Sequence, residues 1–374
     1  MHALITCVGS AGDVHPFLAI GRALQARGHR VELLTSPYFR PRVVAAGLDF
    51  VPIGTDADYE EGAANPDLWH PRRGFAVAMN LVLRRLREGY ERILERLAPD
   101  TVLIGSTLAW SSRCVQEKTG TPGATVHLAP SLMFSAIDPP RWPGMAWFRH
   151  MPAWCVRAAQ RFVEKYGIDP PILPGLNAFR AQIGLPPVRR VVSDWENSPD
   201  LVIGAFPDWF AAPQADWPAH SVTTGFPRWN ANDGTRLDPA LETFLQAGPS
   251  PLGLTPGSAM AHGRPLFERA LAACETLGLR AVLVTPYRDQ LPATLPDFAH
   301  HARYVPFDLL LPRLCGFVHH GGCAMPACRR VAADHAVRAR PARQRGAGVR
   351  TWRRRVHRAD GASVCVDAHL APVA

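Results

Sequence analysis

Residues 2–52 leave this chain few choices of fold. His2–Val8 is a short, unbroken apolar run, the kind that is buried on both faces of a parallel sheet. The turn Gly9-Ser-Ala-Gly12 follows, and then an amphipathic helix with Phe17, Ile20 and Leu24 on its apolar face. Asp13 is its candidate N-cap, Pro16 sits in its first turn and Gly28 stops it. A strand over Arg30–Thr35, a helix around Phe39–Ala46 and a strand over Leu48–Pro52 complete a β-α-β-α-β start. Because such crossovers are almost always right-handed, the start predicts a parallel, doubly wound α/β sheet.

The same style continues downstream. The pattern predicts a helix over Phe75–Leu97, strand Thr101–Ile104, helix Trp110–Lys118, strand Gly123–Leu128 and strand Leu201–Gly204. Residues 130–199 change texture to Trp- and Pro-rich helices and read as an insertion covering a cleft within a first domain, 1–225. Residues 226–250, with Asn230, Asn232, Asp233 and Gly234, read as a linker. A second α/β unit, 251–322, then opens with strand Leu252–Thr255, the turn Pro256-Gly-Ser258, helix Pro265–Leu277 and strands Arg280–Thr285 and Gly316–His319.

After Gly322 the pattern fails. Residues 323–374 contain no Glu, Lys, Ile or Phe, and they carry 11 Arg against three Asp. No helix face or strand alternation runs through most of them. Arg, Ala, Pro, Gly and Val are what GC-rich DNA encodes in a wrong frame, so this tail reads as frameshifted and the second domain as incomplete. Codons can be chosen for Asp334 through Gly348 that, shifted by one nucleotide, spell a run containing Met-Pro-Phe-Ala-His-Asp-Gln-Arg-Asp-Asn.

The tail also dominates the charge. The whole chain is +9, yet residues 1–322 hold 30 Lys and Arg against 29 Asp and Glu. The high isoelectric point therefore points to no nucleic-acid partner. Cys7, Cys114, Cys155, Cys274 and Cys315 are scattered without a CxxC pair, which fits a reducing compartment and no zinc site. With no leader-like start and no apolar run of about 18 residues, the expectation is a cytoplasmic protein. Peripheral inner-membrane association and the oligomeric state stay open.

Five motifs recur in a fixed order: Gly9-Ser-Ala-Gly-Asp-Val-His-Pro16, Thr224-Gly-Phe-Pro227, Thr255-Pro-Gly-Ser258, Tyr304-Val-Pro306 and His319-His-Gly-Gly322. Together they resemble the GT-B nucleotide-sugar glycosyltransferases of family 1. Asp67-Leu-Trp69 and Asp208-Trp-Phe-Ala-Ala-Pro-Gln-Ala-Asp-Trp-Pro218 resemble in particular the rhamnolipid-type rhamnosyltransferases. The resemblance implies two facing Rossmann-like domains with a deep cleft between them, the first binding an acceptor and the second a sugar nucleotide. It implies inverting hexosyl transfer without a metal or a cofactor. The co-substrate would be dTDP-rhamnose or a UDP-sugar, and the acceptor a small molecule or a lipid with a hydroxyl.

Inverting transfer needs a base for the acceptor hydroxyl and dipoles or cations for the departing diphosphate. The resemblance places the base at Asp13, with His15 as second candidate; on the residues alone, Asp13 reads first as a plain helix cap. Gly12, Gly257 and Ser258 are the implied phosphate neighbours, or simply strand–helix turns. Tyr304 and Val305 fall where the nucleotide base would sit, although Tyr304 also suits a core. His320, Gly321 and Gly322 match a turn that offers backbone N–H groups to a diphosphate. Trp69, Trp110 and Trp209 are candidates to line an apolar acceptor site, or else core residues. The Asp-Gln pair that would hold the sugar lies only in the shifted frame. On this reading the chain as written is either a transferase by ancestry or a non-catalytic frameshift product that keeps at most acceptor binding.

Overall fold

A computed structural model of the chain describes residues 1–139, 146–229 and 236–319. The chain divides into two units, Met1–Ala231 and Asn232–Ala374.

The first unit runs β1 (His2–Thr6), α1 (Ala11–Gln25), β2 (Arg30–Thr35), α2 (Arg40–Ala45), β3 (Asp49–Pro52), α3 (Asp56–Ala64), α4 (Gly74–Arg84) and α5 (Leu86–Leu94). It continues with β4 (Thr101–Ser106), α6 (Trp110–Thr119), β5 (Gly123–His127), α7 (Ala153–Val163), α8 (Leu173–Gln182), β6 (Leu201–Gly204) and β7 (Ser221–Thr223). The strands form one parallel sheet in the order β3-β2-β1-β4-β5-β6-β7. Because side chains alternate across a strand, β1 feeds two cores. Ala3 and Ile5 join Phe17 and Leu18 of α1 on one face, while Leu4 joins Ile93 of α5 and Cys114 of α6 on the other. That two-sided burial is why the β1 run is apolar without alternation.

Two expectations fail here for tertiary reasons. The helix expected over Phe75–Leu97 is broken at Arg85 (φ −103°, ψ 1°), where the guanidinium pairs with Asp58 and Glu88. The 130–199 stretch is not simply a cover for a cleft, because Leu176 and Phe179 of α8 are buried in the core beneath the sheet.

The second unit contains α9 (Pro239–Gln246), β8 (Leu252–Thr255), α10 (Arg264–Leu277), β9 (Ala281–Val284), β10 (Ala299–Ala302), α11 (Phe307–Leu310) and β11 (Gly316–His319). Its parallel sheet has the order β10-β9-β8-β11. Val282 and Val284 pack toward α9, and Ala281 and Leu283 toward Phe267 and Leu271 of α10. The stretch 226–250, read as a linker, is therefore only partly one: Leu241 and Leu245 of α9 are buried core. The frameshift reading of 323–374 falls outside the described residues.

Candidate active site

In a parallel α/β sheet, reactive groups collect beyond the carboxyl ends of the strands. Beyond β1 the chain turns at Gly9 with φ +130°, a conformation that side chains with a Cβ rarely adopt. A Cβ there would lie 2.4 Å from Oδ2 of Asp13. Only glycine lets the carboxylate fold back over the turn.

Ser10, not Asp13, is the N-cap of α1, which corrects the sequence expectation. Asp13 is the third helical residue, and its Oδ2 accepts the Ser10 N–H at 2.7 Å and the Ser10 hydroxyl at 3.0 Å. The reach-back from N3 to N-cap is a standard way to satisfy the orphan donors of a helix start. It also fixes a partly exposed carboxylate at the positive end of the α1 dipole. Gly12 lies exposed on the same turn.

His15 follows within that turn. Its ring meets Trp229 edge to face at 4.9 Å. Burial, reinforced by Arg42, lowers its pKa to about 4, so the imidazole is neutral at pH 7. Its Nε2 is buried with no hydrogen-bond partner among the described residues, and such an atom needs an explanation. Cys7, just before the turn, is held as a thiol: burial pushes its pKa up to about 12.

Polar groups at the ends of the neighbouring strands were missed by sequence reading. Ser106 at the end of β4 accepts the Val8 N–H at 3.2 Å and so ties down the β1 turn. Thr107 Oγ1 and His127 Nδ1 are 2.9 Å apart, and His127 Nε2 is 2.9 Å from Asn197 Oδ1. Burial lowers the His127 pKa, partly offset by Asn197. The only signal in the sequence was polar residues closing otherwise apolar strands.

The three acceptor candidates part company. Trp110 is buried, 1% exposed, and donates from Nε1 to Glu196 Oε2 at 3.2 Å; its side chain belongs to the core. Trp69 is 39% exposed in the Pro66–Trp69 turn. Trp209 is 53% exposed and lies edge to face with Phe226 at 6.0 Å, with Phe210 to Phe226 at 5.3 Å. That aromatic group stands just beyond β6.

In the second unit, Gly257 also takes a positive φ, +104°, and its N–H donates to Thr255 Oγ1 at 3.2 Å. Ser258 is the next residue of this loop. Gln290 closes the loop, accepting from Gly263 N–H at 2.9 Å and donating to the Met260 carbonyl at 2.6 Å. Tyr304 is exposed, whereas the Val305 side chain belongs to the core and can present only backbone. His319 ends β11 with its ring stacked on Phe317. His320, Gly321 and Gly322 lie outside the described residues. Among the described residues no three His, Cys, Asp or Glu side chains group as metal ligands, and no helix is long and apolar enough to cross a membrane.

Comparison with known proteins identifies the class. Residues 3–136 match the glycosyltransferase family 28 N-terminal domain. The family number differs from the family 1 reading of the sequence; the fold class does not. The chain is 29% identical over 350 residues to O-mycaminosyltylonolide 6-deoxyallosyltransferase of Streptomyces fradiae, covering 86% of this chain and 75% of the relative. It is 28% identical over 332 residues to vancomycin aglycone glucosyltransferase of Amycolatopsis orientalis, covering 86% and 76%. Among solved structures, the kitacinnamycin glycotransferase superposes with a TM-score of 0.60 at 22% identity, covering 86% of this chain and 76% of that one. The spinosyn rhamnosyltransferase SpnG in complex with thymidine diphosphate gives 0.56 at 18%, covering 88% and 77%. The chain thus has a stretch similar to the family 28 glycosyltransferase N-terminal domain within an α/β fold of the GT-B type.

Proposed function

We propose that the first unit carries the acceptor site and the base of an inverting, metal-independent glycosyltransferase, and the second unit the sugar-nucleotide site. The observation that carries the reading is the Asp13 carboxylate, held over Gly9 by Ser10 at the carboxyl end of β1. Its oxygen takes the proton of the acceptor's hydroxyl as the hydroxyl oxygen attacks the anomeric carbon. The anomeric bond to the diphosphate breaks, the nucleotide leaves with its electron pair, and the configuration inverts. Asp13 is the stronger choice than His15, because its carboxylate is partly exposed beyond β1, whereas Nε2 of His15 is buried beside Trp229.

The relatives support a nucleotide-diphosphate hexose or deoxyhexose donor and a hydroxylated, largely apolar small-molecule or lipid acceptor. Thymidine diphosphate bound to the spinosyn rhamnosyltransferase favours a dTDP-sugar of the rhamnose class over a UDP-sugar. The exposed Trp209, Phe210 and Phe226 group gives an apolar acceptor a surface to meet. We further hold that residues from about 323 on are out of frame, so that activity belongs to a chain with the frame restored. Resequencing codons 320–335 tests that part.

The catalytic test uses the frame-restored chain. Asp13→Asn keeps the Ser10 contacts and the helix start but cannot take a proton. Transfer should fall by about 10²–10⁴-fold, with donor binding by calorimetry nearly unchanged. Near-full transfer by Asp13→Asn together with its loss in His15→Ala would move the base to His15.

A further inference from the structure

The proposed reaction makes no use of the outer face of α7. From Ala153 the helix continues through a wider turn over Glu164–Ile168, giving one helical run from 153 to 168. Its inner side is ordinary core: Val156 is 1% exposed and packs with Ala136 and Phe148. Its outer side is not ordinary. Trp154, Phe162 and Tyr166 are 73%, 64% and 60% exposed, and with Ala158 they form a row at four-residue spacing. Residues so spaced lie on one face of a helix. The Phe162 and Tyr166 rings touch, with centroids 4.7 Å apart.

A second row runs beside the first. Arg157, Arg161 and Lys165 repeat at the same spacing and are all exposed. Arg157 reaches Asp216 only at 4.0 Å, and Lys165 lies over the Tyr166 ring at 4.9 Å. Glu164 is the one carboxylate in 153–168, and it is turned inward to accept from the Ser193 N–H at 2.9 Å. The outer face therefore presents three cations and no anion. Single exposed apolar residues need no explanation, but a row of large aromatics does.

We propose that this face of α7 is a membrane-surface anchor that seats on an anionic lipid bilayer. Trp and Tyr have an apolar body and a polar tip, and they favour the boundary between headgroups and acyl chains. Lys and Arg in the next row reach lipid phosphates while their stems lie along apolar surface. An amphipathic helix with aromatics beside cations and no exposed acid is what binds in the plane of such a surface. A protein partner would also take aromatics and Arg, but the absence of any exposed acid across the run favours a uniformly anionic surface.

The test needs neither a sugar donor nor turnover, so its outcome is independent of the enzymatic reading. The full chain is floated with vesicles of phosphatidylcholine alone, or with about one-third phosphatidylglycerol. Binding to the anionic vesicles should exceed binding to neutral ones at least about tenfold and fade between about 0.05 and 0.5 M salt. Each cation at such a surface is worth about a factor of five, so Arg157→Gln with Arg161→Gln should weaken binding about 25-fold. Trp154→Ser with Phe162→Ser should weaken it about tenfold or more, with circular dichroism unchanged because both side chains are exposed. Failure to float with anionic vesicles at low salt overturns the proposal, as does unchanged binding by both double variants. A dimer in solution that Trp154→Ser with Phe162→Ser converts to a monomer would assign the face to a second copy of the chain instead.

Discussion

In each unit the first strand leads through a positive-φ glycine and a loop into a helix, yet one loop holds a carboxylate and the other does not. After β1, Gly9 is packed against a carboxylate, and the loop spends the Ser10 donors on it. After β8, Gly257 caps onto a threonine hydroxyl, and residues 256–263 contain no acid at all. One device thus yields an acidic turn that suits a proton acceptor and a neutral turn that suits an anion. The difference comes from a single position, Asp13, whose counterpart region in the second unit is held by the neutral Gln290.

The cores differ in the same sense. The first unit buries Glu32, His127, Glu164, Asp169, Arg180 and Glu196. Among the described residues of the second unit, the buried polar groups are Thr255, Thr285 and Gln290, none of them charged. The response to pH should therefore be concentrated in the first unit.

The largest effect that would break this comparison comes from Gly9→Ala. The new Cβ must displace the Asp13 carboxylate and also adopt a strained backbone, which costs about 1–3 kcal/mol. In the frame-restored chain, transfer should drop about 100-fold or more, since a misplaced base loses most of its benefit, and the melting temperature should fall with it. Wild-type kcat in Gly9→Ala would show that the carboxylate's placement is immaterial.

Gly257→Ala should cost a similar strain of about 1–3 kcal/mol, in a loop (256–263) that holds no Asp or Glu of its own. The expectation is a higher KM for the sugar nucleotide with kcat changed less than about tenfold. A kcat loss as deep as that of Gly9→Ala would erase the distinction between the loops.

The smallest effect is Glu196→Gln. Burial raises the Glu196 pKa from 4.5 to about 8, so the folded chain holds a proton that the unfolded chain releases between those values. Stability from this site is full below pH 4.5 and is lost as the pH rises toward 8. Gln keeps an acceptor for the Trp110 N–H without a charge, so the variant should melt a few degrees higher than wild type at pH 8 and equally at pH 5. An identical difference at both pH values would mean that Glu196 does not titrate in this window.

The sequence by itself determined the parallel α/β sheet, because a two-sided sheet requires strands such as β1 to be apolar at every position. It also determined where the turn proposed as reactive would lie, since Gly9 and Asp13 sit directly after the first strand. Only the tertiary structure decided that Ser10 is the cap and Asp13 its N3 partner, as both residue types cap helices and spacing alone does not choose. Packing likewise put Trp110 in the core and Trp209 at the surface, and it recruited α9 from a stretch that reads as a linker. Tryptophan and leucine carry the same hydrophobic signal wherever they stand in a chain. Which of them meets solvent depends on neighbours brought from far away, such as Glu196 reaching Trp110 across 86 residues.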